Sequence, residues 1–149
     1  MNFDKKLFVF DLDGTICDCS HRQHHVRLKP KRWDLFNKGI PLDTPHMDII
    51  WLFQTFAAAG HTMLIASGRG AENMPETVKW LDDHGVKFHG IYMRKAKDSR
   101  PDNIVKGELL DQIRAEYGEP FMVFDDRNQV VDMWRAAGVR CLQVAPGEF

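Results

Sequence analysis

Four aspartates stand in two close pairs, and each pair comes directly after a short apolar run. The first pair is Asp11 and Asp13, and the second is Asp125 and Asp126. Carboxylates gathered in one place repel one another, since the energy of two unit charges is roughly 332/(εr) kcal/mol. A hard divalent cation removes that repulsion, and Mg²⁺ suits a site of few carboxylates completed by water and phosphate oxygens. The two pairs therefore predict a magnesium site, provided that the fold brings them together.

A third polar cluster, Ser67-Gly68-Arg69-Gly70, also follows an apolar run. Each cluster alone has an ordinary explanation, because Asp-Gly is a turn signal, paired aspartates can cap a helix, and Ser-Gly is a loop dipeptide. The carboxyl ends of parallel strands, however, meet at one edge of an open sheet, where such folds bind ligands. The three clusters together therefore predict one polar site rather than three separate turns.

The elements that must position these clusters alternate along the chain. Apolar runs without polar alternation are typical of strands buried on both faces, and they are Leu7–Phe10, Met63–Ala66, Phe121–Phe124 and Cys141–Val144. Helical patterns lie between and after them, from Thr44-Pro45 as N-cap and first residue to Gly60, from Asn73 or Pro75 to Gly85, from about Asp102 through Glu116, and from Asn128 to Gly138. Strand–helix alternation predicts an α/β protein with three layers, a parallel sheet with helices on both faces.

One segment, about 18–43, has no core-strand pattern and is predicted to be an insertion or small cap within a single domain spanning 1–149. It is strongly basic between Cys19 and Lys38, where six bases oppose Asp34 alone; the bases are Arg22, Arg27, Lys29, Lys31, Arg32 and Lys38. Two interpretations stay open, a solvated surface and a patch for a polyanion such as nucleic acid. Trp33 lies among these bases and could stack on a nucleobase, whereas Trp51, Phe53 and Phe56 are predicted core residues of a helix.

Composition narrows the class of protein. The chain has 149 residues, 44% of them hydrophobic, and a net charge of -1, which is ordinary for one globular domain. No apolar run is long enough for a signal peptide or a membrane span, and the three cysteines have no evident partners, so a cytoplasmic location is expected. Zinc is disfavoured, because the Cys-x-Cys of Cys17 and Cys19 is tighter than the usual structural spacing.

Beyond these patterns, the chain resembles known phosphatases. Asp11-Leu12-Asp13-Gly14-Thr15 after an apolar strand resembles the first motif of the haloacid dehalogenase-like phosphatases, which have a Rossmann-like three-layer fold. Ser67, Lys106 and the pair Asp125-Asp126 fit the second, third and fourth motifs. Two segments, 98–106 and 125–134 with its tail to Phe149, more specifically resemble the 3'-phosphatase domain of phage-type polynucleotide kinase-phosphatases.

The resemblance implies a role for each motif residue. Asp11 is the implied nucleophile, and Asp13 is the implied acid and then base, able to hold a proton near neutrality. Magnesium is implied on the Asp11 side chain, the Asp13 main-chain carbonyl and Asp125, with Asp126 close by.

Other residues are implied to bind the substrate. Ser67 and Lys106 would hold the phosphoryl oxygens, Arg69 would contact substrate phosphate, and Gly68 and Arg127 are further expected substrate-binding residues. Asp102 would either orient Lys106 or Arg69 or cap its helix. The family also uses an arginine after the first motif. Because the basic segment here is longer than its counterpart, two candidates stay open. Arg22 is the first choice by its distance from Asp13, and Arg32 is the second.

The resemblance implies a magnesium-dependent phosphomonoesterase acting on DNA or RNA 3'-ends, single-stranded or nicked, with no membrane partner. A phosphatase of free nucleotides or other small phosphoesters is the alternative, and a non-catalytic nucleic-acid-binding module is a third possibility. The sequence contains no G-x-x-x-x-G-K-[ST] phosphate loop, so kinase activity is not expected. A functional link to a separate kinase or ligase is expected instead.

Overall fold

In the computed structural model, which describes residues 4–149, a five-stranded parallel sheet forms the centre of the protein. The strands are β1 (Leu7–Phe10), β2 (Cys17–Asp18), β3 (Thr44–Pro45), β4 (Thr62–Gly70), β5 (Gly90–Arg94), β6 (Met122–Asp125) and β7 (Cys141–Gln143). The order across the sheet is β5-β4-β1-β6-β7, and β2 pairs with β3 in a separate antiparallel ribbon. In the central strand Val9 is in register with Leu64 on one side and Val123 on the other.

Within residues 4–149, six α-helices lie between the strands. They are α1 (His24–Arg27), α2 (Trp33–Lys38), α3 (Met47–Ala58), α4 (Met74–Asp83), α5 (Asp102–Glu116) and α6 (Asn128–Ala136). Short 3-10 helices lie at Ser20–Arg22, Ile40–Leu42 and Ala71–Asn73. The predicted helix from Asp102 through Glu116 matches α5 at both ends, and the predicted stop at Gly138 fits the positive φ of 84° there.

Alternate residues of β1 pack on opposite faces of the sheet, which explains why this strand is apolar throughout. Val9 belongs to the core cluster formed with α5 and α6, which includes Trp134. Phe10 belongs to the cluster formed with α3 and α4, which includes Phe53. Each fully buried side chain of this size contributes roughly 1.5–3 kcal/mol. The predicted arrangement of a parallel sheet with helices on both faces is confirmed.

Several predicted boundaries are wrong. The strand Gly90–Arg94 was not predicted, because it is a half-buried edge strand with a glycine and an arginine at its ends. Thr44-Pro45 forms β3 rather than the start of a helix, and α3 begins at Met47 instead. Proline is compatible with a two-residue ribbon because its missing N–H removes few hydrogen bonds there. Trp51 is 66% exposed, so the prediction that it is a core residue is wrong.

Residues 19–43 connect β2 to β3 and contain α1 and α2, with the 3-10 helices Ser20–Arg22 and Ile40–Leu42. This segment coincides with the predicted insertion, and its function as a cap stays a prediction. Across residues 4–149, no helix combines the length and apolar character needed to cross a membrane.

Candidate active site

The carboxyl ends of β1, β4 and β6 lie side by side, because these three strands are neighbours in the parallel sheet. Along the chain, β4 and β5 are added on one side of the central strand β1, and β6 and β7 are then added on its other side. Such a switch point opens a crevice at the carboxyl edge of the sheet. All three polar clusters predicted from the sequence are therefore at one edge.

Asp11 is buried directly after β1, and its side chain has two partners. The ammonium of Lys106 donates to Asp11 Oδ1 at 2.6 Å, and the hydroxyl of Thr15 donates to Oδ2 at 3.1 Å. Its main-chain amide donates to the carbonyl oxygen of Phe124 at 2.9 Å, which ties the end of β1 to the end of β6. The backbone and both carboxylate oxygens of Asp11 are therefore fixed.

Lys106 connects the two aspartate pairs from the first turns of α5. Its Nζ also donates to Asp125 Oδ2 at 2.8 Å, and the indole of Trp134 donates to the same oxygen at 3.2 Å. The amide of Asp126 donates to Asp125 Oδ1 at 2.8 Å. A buried ammonium between two carboxylates is well compensated, whereas either carboxylate alone would be costly to bury.

Oxygen atoms of Asp11, Asp125 and Asp126 lie within 4.8 Å of one another, the arrangement expected of a cation site. Three buried carboxylates face a single ammonium, so two negative charges remain uncompensated when all three are ionised. Carboxylate oxygens are the ligands that Mg²⁺ prefers. The donor set of this chain therefore fits a divalent cation, and the Asp13 main-chain carbonyl stays a predicted ligand.

Burial and mutual repulsion shift the pKa values in this cluster. Burial and the neighbouring charge of Asp125 raise the pKa of Asp11 well above its ordinary value, against the opposing effect of Lys106. Burial and Asp125 also raise the pKa of Asp126, to about 6. A bound divalent cation favours the ionised forms of such groups.

Gly14 explains how Asp126 can approach the first motif so closely. Its φ of 84° lies in the left-handed region, and a Cβ at this position would collide with the Asp126 carboxylate. Only glycine satisfies both the turn and the close approach. The Asp-Gly dipeptide is therefore a turn signal and a packing requirement of the carboxylate cluster at once.

The side chain of Asp13 contacts two buried arginines. Arg22 Nη2 donates to Asp13 Oδ1 at 2.7 Å, and Arg69 Nη2 donates to the same oxygen at 2.6 Å. Arg22 is 1% exposed and Arg69 is 5% exposed. Arg22, the first choice among the arginines of the insertion, thus reaches the site, whereas Arg32 pairs with Asp34 on the surface.

Asp43 completes this arginine network from the end of the insertion. Its carboxylate accepts hydrogen bonds from Arg22 Nε at 2.7 Å and Arg69 Nη2 at 3.1 Å, and it lies 2.7 Å from His21 Nε2. The indole of Trp80 donates to its main-chain carbonyl at 2.9 Å. Two arginines and two aspartates therefore alternate in a buried network that holds the insertion against β4.

The network corrects one expectation about Asp13. Burial alone would raise the pKa of Asp13, but the charges of Arg69 and Arg22 outweigh it and hold the pKa below its ordinary value. The expectation that Asp13 holds a proton near neutrality is therefore wrong for this arrangement.

Ser67, Gly68 and Arg69 belong to the end of β4 rather than to a loop after it, because the register with β5 shifts between Ser67 and Gly70. The Ser67 hydroxyl accepts a hydrogen bond from the amide of Arg69 at 3.1 Å. A Cβ at Gly68 would collide with the Asp102 carboxylate. The irregular strand end thus brings the second motif against the start of α5.

Asp102 pairs with two arginines other than the predicted partners. Arg94 Nη2 donates to Asp102 Oδ1 at 2.7 Å, and Arg127 Nη1 lies 3.4 Å from Oδ2. Neither a hydrogen bond to Lys106 or Arg69 nor a capping contact at α5 is formed by this side chain in the described part of the chain. Arg127 also donates to the carbonyl oxygen of Phe149 at 2.7 Å.

A family model for the polynucleotide kinase PNKP phosphatase domain matches residues 5–149. The chain belongs to this family. It is accordingly a phosphoesterase with the haloacid dehalogenase-like fold, and the resemblance seen in its motifs is confirmed.

Individual relatives agree with the family. A chain of the Pnkp1/Rnl/Hen1 RNA repair complex is 30% identical, with a TM-score of 0.81 over 97% of this chain and 44% of that chain. A protein of Autographa californica nuclear polyhedrosis virus, described as a bifunctional polynucleotide kinase/RNA ligase, is 27% identical over 84% of this chain and 17% of its own length. The chain therefore spans less than half the length of these two relatives.

A more distant structure shows the fold alone. A haloacid dehalogenase-like family protein from Streptococcus pneumoniae is 18% identical, with a TM-score of 0.68 over 93% of this chain and 84% of that chain. The predicted fold class is thereby confirmed.

Two residues of this phosphatase site were missed by the sequence interpretation. Asp43 was seen only as the boundary of the insertion, because the burial of Arg22 and Arg69 that calls for a carboxylate partner is known only from the structure. Arg94 was missed with its strand, because the short segment Gly90–Arg94 carries no clear periodicity.

Proposed function

We propose that this phosphatase is a magnesium-dependent phosphomonoesterase that removes 3'-phosphate from polynucleotide ends through a phosphoaspartate at Asp11. The observation that carries the proposal is the position of Asp11, which lies within 4.8 Å of both fourth-motif carboxylates and 2.6 Å from Lys106. A nucleophile needs a fixed carboxylate oxygen beside a place for a phosphoryl group. The contacts of Asp11 support the first requirement, and Lys106 and the expected cation would provide the second.

In the first half of the reaction, an oxygen of Asp11 attacks phosphorus as the bond from phosphorus to the leaving sugar oxygen breaks. The ammonium of Lys106 and the hydroxyl of Ser67 would bind phosphoryl oxygens and stabilise the charge that spreads over them. A magnesium ion held by Asp11, Asp125 and Asp126 would supply further positive charge to these oxygens and keep the carboxylates ionised.

Asp13 would handle the proton in both halves. The sugar alkoxide is a poor leaving group, so it needs a proton. Arg22 and Arg69 hold the pKa of Asp13 low in the free protein. The anionic substrate phosphate, on binding beside these arginines, would raise that pKa, so that Asp13 takes up a proton and then donates it to the sugar oxygen. In the second half, water attacks the phosphoaspartate, its proton passes to Asp13, and inorganic phosphate leaves as the Asp11 carboxylate is restored. Arg22 and Arg69 hold Asp13 in place for this exchange.

Preference for polynucleotide ends is supported by the family and by the relatives. One relative belongs to an RNA repair complex, and another is described as a kinase and RNA ligase. A phosphatase that leaves a 3'-hydroxyl would prepare ends for such partners, so we propose that this chain acts together with a kinase or ligase activity in nucleic acid repair.

The test is release of inorganic phosphate from four substrates: oligonucleotides phosphorylated at the 3'-end, the same oligonucleotides phosphorylated at the 5'-end, a nucleoside 3'-monophosphate and an aryl phosphate. We expect the highest kcat/KM with the 3'-phosphorylated oligonucleotide, only with added Mg²⁺. Asp11→Asn should lower turnover at least about 10⁴-fold.

Asp132→Asn is the matched control, since it makes the same change on an exposed position of α6 and should keep the wild-type rate. Full activity in excess chelator would contradict the metal requirement. Equal kcat/KM for mononucleotide and oligonucleotide would favour a phosphatase of small phosphoesters instead.

A further inference from the structure

Residues 27–34, from the last residue of α1 to the second residue of α2, form an unbroken exposed surface and are called the loop below. All residues from Arg27 to Asp34 are exposed, and within residues 4–149 the ion pairs of this loop are limited to Arg32 with Asp34. Arg27 donates a hydrogen bond to the neutral side chain of Gln23 at 2.6 Å, which leaves its charge uncompensated. The positive charge of the insertion is therefore concentrated on a solvent-facing loop, away from the buried network of Arg22.

Trp33 stands on this surface at the first residue of α2. It is 53% exposed, although burying an aromatic ring of this size would be worth several times RT. Phe36 meets it edge to face with ring centroids 5.5 Å apart, and Lys31 Nζ lies 5.7 Å from its ring centroid. The indole is thus held by Phe36 on one side and open to solvent over more than half of its surface.

A continuous series of contacts connects Trp33 to the active site. The guanidinium of Arg22 lies 4.1 Å from the Phe36 ring centroid and donates to the Phe36 carbonyl oxygen at 3.2 Å. The other end of the same guanidinium contacts Asp13 at 2.7 Å. Trp33 is therefore separated from Asp13 by only two side chains, Phe36 and Arg22.

We propose that this loop, together with Lys38, binds the single-stranded polynucleotide immediately upstream of the reacting 3'-phosphate. Trp33 would stack on a base, while Arg27, Lys29 and Lys31 would contact backbone phosphates. An exposed aromatic ring among basic side chains that lack acidic partners suits single-stranded nucleic acid. Every nucleobase has a face that can stack on the ring, and every nucleotide carries a phosphate charge. The inference rests on the proposed function, since it places this surface on the substrate side of Asp11.

Binding is measured first, by fluorescence anisotropy of 3'-hydroxyl oligonucleotides of DNA and of RNA across a salt series. The slope of log affinity against log salt concentration should be about -0.7 for each phosphate neutralised. Lys29→Ala/Lys31→Ala should therefore flatten the slope by about 1.4. Trp33→Ala should weaken binding at least about 5-fold, and Trp33→Phe should restore part of the loss.

Turnover is measured next, on 3'-phosphorylated substrates of one, two, four and eight nucleotides. The wild-type kcat/KM should rise with length and then level off. Trp33→Ala should lower the ratio of kcat/KM for the oligonucleotide to kcat/KM for the mononucleotide, chiefly by raising KM for the oligonucleotide. The matched control is Lys5→Ala/Lys87→Ala, which removes two exposed charges before β1 and before β5, at the opposite edge of the sheet. It should keep the wild-type salt slope and length dependence.

The outcomes separate this inference from the proposed function. Wild-type turnover of 3'-phosphates without any dependence on length or on Trp33 would overturn the binding surface and leave the phosphatase intact. Absence of turnover of every 3'-phosphate would contradict the proposed function instead. If polyglutamate competed as well as an oligonucleotide of equal charge and Trp33→Ala changed neither, the surface would be one for acidic proteins, and the inference would fail. A preference for DNA or for RNA supports it equally.

Discussion

Asp11 and Asp13 are two residues apart, yet they occupy opposite electrostatic environments. Asp11 shares one ammonium with Asp125 and lies beside Asp126, and burial with this repulsion raises its pKa. Asp13 contacts two guanidinium groups, which outweigh burial and lower its pKa. The first region has too few positive charges, and the second is compensated within the protein itself.

The difference arises from which elements supply the counter-charges. Lys106 comes from α5, which packs against the central sheet, while Asp11 and Asp125 come from the ends of β1 and β6, so the Asp11 region is built from the core of the fold. Arg22 and Asp43 come from the two ends of the insertion, so the Asp13 region depends on residues 19–43 folding correctly. The counter-charge of Asp11 therefore comes from the core of the fold, whereas that of Asp13 comes partly from the insertion.

The sharpest way to separate the two carboxylates is the leaving group. Asp13→Asn should lower kcat/KM about 10²- to 10⁴-fold on a sugar 3'-phosphate, whose alkoxide needs a proton, and much less on an aryl phosphate. Asp11→Asn should abolish both equally, because the nucleophile is needed whatever leaves. The measurement is the ratio of kcat/KM for the two substrates in each variant.

Asparagine at position 13 also loses two ion pairs, so urea unfolding of the same variant must accompany the kinetics. Equal losses on both substrates, scaled to a fall in stability, would mean that Asp13 only positions Arg22 and Arg69. That result would remove the proposed proton transfer and leave the rest of the mechanism unchanged.

The second prediction tests whether the arginine network is compensated internally. Asp43→Asn leaves two buried guanidinium groups short of a charge, and breaking a buried pair in this way costs about 3–5 kcal/mol. The free energy of unfolding, measured by urea denaturation in chelator, should fall accordingly. Asp34→Asn is the matched control, because it breaks an exposed aspartate–arginine pair that solvent screens, and it should change stability little.

An unchanged unfolding free energy in Asp43→Asn would contradict the comparison, since it would mean that water enters the network and replaces the carboxylate. The insertion would then not be held by charge, and its position relative to Asp13 would need another cause.

Much of the fold could be predicted because its core obeys local rules. Strands such as Leu7–Phe10 are apolar throughout, and α5 has clear bounds from its first residue to its last. Thr44-Pro45 misled the interpretation, because a helix start and a ribbon strand use the same dipeptide, and only the pairing with Asp18 decides between them. The edge strand Gly90–Arg94 carried too little apolar pattern to be recognised.

The residues of the site also fall into two groups, those that the sequence could identify and those that it could not. Residues that follow buried strands, such as Asp11 and Asp125, could be found from sequence because the topology brings strand ends together. Asp43 could not, because its role depends on a contact with Arg22 across 21 residues of irregular chain. The partners of the Asp13 side chain could not be predicted either, since they depend on which basic side chains the tertiary structure places next to it.

The last prediction tests the shortage of positive charge around Asp11. Asp126→Asn keeps the side-chain volume that packs against Gly14 but removes a carboxylate that Lys106 does not contact. In chelator, this variant should be at least as stable as the wild type, because repulsion with Asp125 is relieved. That sign is opposite to the one expected for Asp43→Asn. Added Mg²⁺ should stabilise the wild type by about 2.7 kcal/mol at a hundred times its Kd, and the variant by clearly less. Thermal unfolding over a Mg²⁺ titration measures both effects, with Asp132→Asn as the exposed control. Loss of stability in chelator together with a full Mg²⁺ response would show that Asp126 is structural and that the cation binds elsewhere.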